Sequence, residues 1–387
     1  MIYREFQGKK LSLLGFGAMR LPIKDGAVDE ATVEQMVAYA IEHGVNYFDT
    51  AYPYHGGMSE RVMGRVLSKY PRESFYLADK YPGHQILEDY DPAKIFEEQL
   101  RRCGVEYFDF YLLHNVYEKS MRTYLDEDLG IIDYFLEQKR LGRIKHLGFS
   151  SHAQLSTLES FLEKRGKDME FCQLQLNYLD WSLQDGQKKY ELLSRYGIPV
   201  WVMEPVRGGK LASFTDERLT AARPGASTAS WGFRFLQALP NVGVILSGMT
   251  NMEHVVDNVA TFDREEPLTK QQTELILEIA EGMKNASPCT GCRYCCDGCP
   301  LELDIPMMMS ICSDIRFAPV VNSVMVVQAL PEEKKPSACL ACGKCTQVCP
   351  QGIDIPAVMQ ELSQRMEAIP SWDAICLQRI EEQKKNA

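Results

Sequence analysis

The chain has 387 residues, 45% hydrophobic and 25% charged, with a formal net charge of −11. That length allows two or three domains and at least one large core, while the acidity argues against a nucleic-acid-binding role and against attraction to anionic membranes. The start, Met1-Ile2-Tyr3-Arg4-Glu5-Phe6, has no apolar leader segment, and no apolar run is long enough to span a bilayer, so a cytoplasmic protein is expected.

From residue 1 to about 262, short apolar runs alternate with amphipathic stretches. A hairpin is expected over 3–14 with its turn at Gly8, and a first core strand ends at Gly15-Phe16-Gly17. A helix over 30–43 closes at Gly44, the residue type that most readily takes the left-handed position after a helix. Strand 45–48 follows, then a helix from Ser59 and strand 75–78. The unit repeats as helix 93–103 with strand 108–113, helix 129–140 with strand 144–149, and helix 154–165 with strand 171–176. Helix 187–196 with strand 199–203, helix 227–239 with strand 242–246, and helix 252–262 complete the series. Eight strands that each precede a helix imply a parallel sheet. Eight such units in about 250 residues is the size of a (β/α)8 TIM barrel. An open doubly wound sheet is the rival, weakened because Gly15-Phe16-Gly17 lacks the third glycine of a dinucleotide fingerprint and no helix follows it directly. The charged, proline-bearing stretch Arg264-Glu265-Glu266-Pro267 reads as a linker, dividing a barrel domain over 1–262 from a second domain over 263–387. Helix 271–283 leads into the second domain, and its polar tail, 381–387, is expected to fray.

Of 13 cysteines only Cys103 and Cys172 precede residue 280, and the other eleven are crowded into the second domain, a placement that suits metal ligation in a reducing compartment. Cys289, Cys292, Cys295 and Cys299 precede Pro300; Cys339, Cys342, Cys345 and Cys349 precede Pro350. Both runs read C-x2-C-x2-C-x3-C-P, in which three thiolates of a tight loop reach one cubane and the fourth reaches the other cluster. By that rule Cys289, Cys292, Cys295 and Cys349 hold one [4Fe–4S] cluster, and Cys339, Cys342, Cys345 and Cys299 hold a second. The flanks repeat with the ligands: Leu303-Asp304-Ile305-Pro306 follows the first run and Ile353-Asp354-Ile355-Pro356 the second. Zinc is the competing metal, but it needs four ligands per site and rarely uses three at this pitch before Cys-Pro. The apolar segment between the runs, with Met307-Met308-Met309, resembles the α-helical type of two-cluster ferredoxin.

In the barrel domain, Asp49 ends one strand and Tyr54 follows in its loop; Lys80 closes the next strand and His114 the one after. Strand ends of a parallel barrel meet at one face, so these four are candidates for one pocket. Singly each has a structural reading: a helix cap, a rim aromatic, a snorkelling lysine, a satisfied histidine. Together they fit carbonyl reduction. A lysine ammonium beside a tyrosine favours phenolate and is expected to lower its pKa from about 10. The aspartate would hold the lysine, and the histidine would orient a substrate oxygen.

This constellation resembles the aldo-keto reductase family. The resemblance covers roughly 1–262 and includes Gly15-Phe16-Gly17-Ala18-Met19-Arg20, Asp49, Tyr54, Ser59-Glu60, Lys80, His114, Gly148-Phe149-Ser150-Ser151, Gln173, Glu204-Pro205 with Gly208-Gly209, and Asp257-Asn258. With the cysteine-rich second domain, it points to the branch carrying a C-terminal two-cluster domain. The family implies an extended nicotinamide cofactor, NADP or NAD, bound without a Rossmann domain. By that match Ser150, Ser151 and Gln173 would hold the carboxamide, and Met203, where many members have an aromatic residue, would lie against the nicotinamide. Loops carrying Gly248 and Met249 would hold phosphates, and Asp257 and Asn258 would meet the adenine. The usual basic clamp for a 2′-phosphate is absent near Gly248 and His254, leaving Arg207 or Lys210 to substitute. The expected function is an oxidoreductase acting on a small carbonyl or alcohol, with clusters that are structural or that serve a redox protein partner. Hydride transfer needs no cluster, so a flavin- or ferredoxin-coupled electron-transfer enzyme and a non-catalytic redox sensor are the alternatives.

Overall fold

Eight short strands close on themselves in the computed structural model, which describes residues 1–85, 87, 89–284, 289, 293–317, 321–349 and 351–386. They are β1 (Leu14–Gly17), β2 (Tyr47–Asp49), β3 (Tyr76–Tyr81), β4 (Phe108–Leu113), β5 (Ile144–Ser151), β6 (Cys172–Gln175), β7 (Val200–Met203) and β8 (Val242–Ser247). Each pairs in parallel with its sequence neighbour, and β8 pairs with β1 to complete the barrel. The helices between and after them are α1 (Glu30–Glu42), α2 (Met58–Leu67), α3 (Pro92–Cys103), α4 (Ile131–Arg140), α5 (Leu155–Arg165), α6 (Gly186–Arg195), α7 (Thr228–Gln237) and α8 (Met252–Thr261). Strands such as β4, buried at every position and apolar except for Asp109, are what a sheet covered on both faces requires. Helix boundaries follow local chemistry: Asp91 accepts from the Ala93 and Lys94 amides ahead of Pro92 in α3, and Gly104 ends that helix at φ 64°. The open-sheet alternative is excluded by closure.

The N-terminal hairpin (Tyr3–Phe6 with Lys9–Ser12) plugs the end of the barrel that the strands enter. Phe6 packs edge-on to Trp201 at 5.1 Å and, with Leu11, joins the interior residues Tyr47, Phe110, Phe171 and Val244. Backbones approach closely where only glycine fits: a Cβ on Gly148 would lie 2.5 Å from the Phe171 carbonyl.

The C-terminal region is helical, as expected: α9 (Lys270–Lys284), whose Ile276, Ile279 and Ala280 join the barrel core, is followed by α10 (Tyr294–Asp297), α11 (Ile305–Phe317), α12 (Val321–Gln328), α13 (Lys344–Gln347), α14 (Ile355–Glu367) and α15 (Trp372–Asn386). The tail expected to fray is, as far as Asn386, instead part of α15, Ala387 lying outside the described residues; that helix lies on the barrel: Gln383 donates to the Tyr52 carbonyl and Lys119 pairs with Asp373 at 2.6 Å. Tyr117 and Ala153 of the barrel share a core cluster with Met325, Trp372 and Cys376. A second junction is polar. Arg207 bonds to Asp314, and Gln184 donates to the same carboxylate at 3.0 Å. Among the described residues no helix is long and apolar enough to cross a membrane.

Candidate functional site

At the carboxyl ends of the strands lies a cleft with about 1400 Å³ of empty space, lined by Asp49, Tyr54, His114, Gln173, Met203, Gly248 and Asn258 among others. Lys80 sits fully buried beneath it and donates to Asp49 Oδ1 at 2.5 Å and to the Thr50 carbonyl at 2.7 Å. Its Nζ is 5.0 Å from the centre of the Tyr54 ring, and Tyr54 meets His114 edge-to-face at 5.9 Å. The four residues expected to converge therefore stand together.

Their electrostatics differ from the sequence expectation in one respect. Burial pushes the Tyr54 phenol above its usual value, and the Lys80 ammonium pulls it back only in part. The expected depression considered the lysine alone; desolvation in the barrel outweighs it. Burial also opposes the charge of Lys80, but Asp49 and Tyr54 outweigh it and hold the ammonium above its ordinary pKa. Burial, aided by the neighbouring Lys80 and Arg379 charges, drives His114 well below the usual imidazole range, so its ring is neutral.

The residues expected around a cofactor divide into two groups. Gln173, Met203, Gly248 and Asn258 line the cleft; Gln173 Oε1 is buried there with no hydrogen-bond partner among the described residues, and Asn258 donates to Ser247 Oγ at 2.7 Å. Ser150 and Ser151 are turned to the backbone. Ser150 Oγ accepts from the Asn115 amide at 2.7 Å, and Ser151 Oγ donates to the Val116 carbonyl at 2.8 Å. Met249 is buried in the core, Asp257 accepts from Ser227, and Lys210 is exposed outside the cleft. Arg207 is placed against Asp180 at 3.3 Å and against Asp314, away from the cleft, because the second domain brings a carboxylate to it. The cleft has other residues that sequence reasoning did not assign. Arg20 packs against Gly208 and Gly248, a basic side chain inside the cleft where Arg207 and Lys210 lie outside it. Asn115, directly after His114, and His84, His152, Trp372 and Arg379 also line it. Adjacency to His114 was a signal for Asn115; nothing local marked Trp372 and Arg379, which arrive from the second domain.

The cysteines border two cavities. One, of about 350 Å³, is lined by Cys289, Cys295 and Cys349 with Ile305, Met309, Ile353 and Ile355; Cys292 lies outside the described residues. The other, of about 390 Å³, is lined by Cys339, Cys342, Cys345 and Cys299 with Leu303, Ile355 and Met359. The half-sites repeat in backbone conformation as well as sequence. Arg293 and Gly343 both take positive φ, 66° and 73°, before α10 and α13, and Glu302 and Gly352 do so again at 50° and 63°.

The comparisons with known proteins agree with this architecture. A model of the aldo/keto reductase family matches residues 13–281, and one of the 4Fe-4S dicluster domain matches residues 288–354. The chain is 24% identical to L-galactose dehydrogenase of Arabidopsis thaliana over 304 residues, covering 72% of this chain and 93% of that protein. It is 24% identical to NADH-specific methylglyoxal reductase of Escherichia coli strain K12 over 326 residues, covering 71% and 96%. The match to a probable aldo-keto reductase 1 of Glycine max is 31% over 156 residues and spans 37% of this chain and 42% of that protein's length. In fold, the chain resembles an aldo-keto reductase from Bacillus halodurans in its holo form, with a TM-score of 0.60, 24% identity, and coverage of 72% of this chain and 96% of that one. A Klebsiella pneumoniae aldo-keto reductase in complex with NADPH gives a TM-score of 0.57 at 19% identity, covering 72% and 96%. The chain is an oxidoreductase that belongs to the aldo/keto reductase family and carries a 4Fe-4S dicluster domain at its C-terminal end.

Proposed function

We propose that the barrel reduces a small carbonyl compound with NADPH or NADH, Tyr54 serving as the proton donor. The observation that carries this reading is the buried Lys80–Asp49 pair beneath a protonated Tyr54, with a neutral His114 at its edge. The cleft suits a nicotinamide cofactor. The unpartnered Gln173 Oε1 is an acceptor for a carboxamide N–H, Met203 offers an apolar face, and Arg20 beside Gly208 and Gly248 offers charge for phosphates. When bound, the reduced cofactor supplies a hydride to the carbonyl carbon, and a proton from Tyr54 Oη completes the two-electron reduction to an alcohol. Tyr54 and His114 orient the carbonyl oxygen by hydrogen bonding. Lys80, held charged by Asp49, stabilises the phenolate until it is reprotonated. Tyr54→Phe is expected to cut kcat for NAD(P)H-dependent carbonyl reduction by about 10²–10⁴-fold while leaving the visible absorbance of the clusters intact; a variant that retains wild-type turnover would overturn the assignment.

For the second domain, the crossed ligand sets are proposed as they stand: Cys289, Cys292, Cys295 and Cys349 for one [4Fe–4S] cluster, Cys339, Cys342, Cys345 and Cys299 for the other. The two apolar, cysteine-lined cavities support this pairing: one joins Cys289 and Cys295 of the first run to Cys349 of the second, the other joins Cys339, Cys342 and Cys345 of the second run to Cys299 of the first. A zinc site gathers its ligands within about 2.3 Å of one point, whereas the Cys299, Cys339, Cys342 and Cys345 side chains ring a space of hundreds of Å³. The clusters act structurally in this reading: they brace the domain whose last helix covers the barrel mouth.

A further inference from the structure

The last helix, α15, contributes two side chains to the cleft, about two turns apart on one face. Trp372 donates its indole N–H to the His84 carbonyl at 3.0 Å and stacks on the His84 ring at 5.4 Å, and His84 lies 4.2 Å from His114. Arg379 stands over the Trp372 ring at 5.1 Å. Among the described residues its guanidinium has no hydrogen bond and no ion pair: Glu382, one turn on, accepts instead from Gln378 at 2.9 Å. The other charges at this end are already balanced or absent. Lys80 is paired with Asp49, and His84 and His114 are neutral, since burial drives both well below the usual imidazole range. A half-buried arginine that lines a cleft without an acid partner leaves a planar pair of N–H donors facing the space where a substrate must enter. Its opposite number, Arg20, packs on Gly208 and Gly248, the glycines of the proposed phosphate end. So the anion that meets Arg379 belongs to the other ligand.

We propose that the substrate is an oxo acid: its carbonyl lies at Tyr54 and His114, and its carboxylate is bound by Arg379. A monoanion fits better than a phosphate ester, because one guanidinium balances one charge and the cleft's other arginine, Arg20, lies against Gly208 and Gly248 instead. This rests on the carbonyl-reductase reading of the barrel and adds that the cluster domain, through α15, sets the substrate class.

The test uses the full-length protein prepared anaerobically, with 4-carboxybenzaldehyde and its methyl ester as paired probes differing in one charge. The wild type is expected to favour the acid by at least about 10-fold in kcat/KM, mainly through KM. Arg379→Gln is expected to raise KM for the acid by about 30-fold and bring the two probes within about 3-fold of each other, and Arg379→Lys to recover part of the preference. A wild type that treats the probes alike, or an Arg379→Gln variant that loses both equally, overturns the proposal. Binding of benzoate against benzamide, followed by calorimetry without turnover, separates the two readings. Benzoate binding that depends on Arg379 while neither aldehyde is reduced sinks the reductase reading and keeps the anion site. Reduction of both aldehydes with no Arg379-dependent benzoate binding does the reverse.

Discussion

Lys80 keeps a charge with no solvent contact, and it can do so only because three oxygen-bearing groups surround it. Asp49 and the Thr50 carbonyl accept its protons, and the Tyr54 ring lies within cation–π distance. Removing one partner of such a pair strands the other, so Asp49→Asn is expected to lower stability by about 3 kcal/mol, measurable as a lower denaturant midpoint, and to lower kcat as well. The same environment sets the pH dependence. The Tyr54 phenol is raised, so the acid form persists through neutral pH and is lost only as pH climbs through a value above the ordinary ~10. His114 is lowered, so its limb falls below the ordinary ~6.5. Carbonyl reduction should therefore be flat between about pH 6.5 and 10; a kcat/KM that begins to fall near pH 8 and follows Tyr54 would mean that the lysine wins after all.

The elements owe their order to patterns that act over a few residues: continuous apolar strands, capped amphipathic helices, and glycines at turns. In the second domain the local pattern is a duplicated loop in which two equivalent positions per half are left-handed. The second copy uses Gly343 and Gly352, whereas the first uses Arg293 and Glu302, at φ 66° and 50°. A side chain in that region costs about 1 kcal/mol. Glu302→Gly is thus expected to stabilise the domain by about 1 kcal/mol, because the exposed contact from Lys334 at 3.3 Å contributes little; a thermal melt of the holoprotein that fails to rise would contradict the strain. The barrel helices depend on equally tight contacts. A Cβ on Gly64 of α2 would lie 2.5 Å from the Cys103 carbonyl at the end of α3, so Gly64→Ala is expected to destabilise by about 1–3 kcal/mol.

At the scale of the whole molecule, two lobes complete one cleft. The cluster domain packs Trp372 against His84 and holds Arg207 of the barrel through Asp314, so side chains of both lobes set the cleft geometry. The proposed crossed ligation makes a specific demand. Cys299→Ala should remove the cluster shared with Cys339, Cys342 and Cys345 and leave the other, lowering iron from about eight to about four atoms per chain, read by iron analysis and electron paramagnetic resonance. Iron near the wild-type level would count against the assignment.

The sequence by itself determined whatever depends on short-range periodicity and ligand spacing. The alternation of strand and helix prescribed the barrel, strand ends carried Asp49, Lys80 and His114 to one face, and the two C-x2-C-x2-C-x3-C-P runs marked the cluster loops. Only the tertiary structure decided three further matters. It decided the sign of the Tyr54 shift, because desolvation depends on everything packed around the phenol. It decided that Ser150 and Ser151 face the backbone and that Arg20, distant in sequence from Gly208 and Gly248, lies against them while Arg207 turns away. And it carried the polar segment that read as a loose tail onto the barrel mouth, because the surface that orders α15 comes from residues such as Tyr52 and His84, hundreds of positions away, which no local pattern can encode.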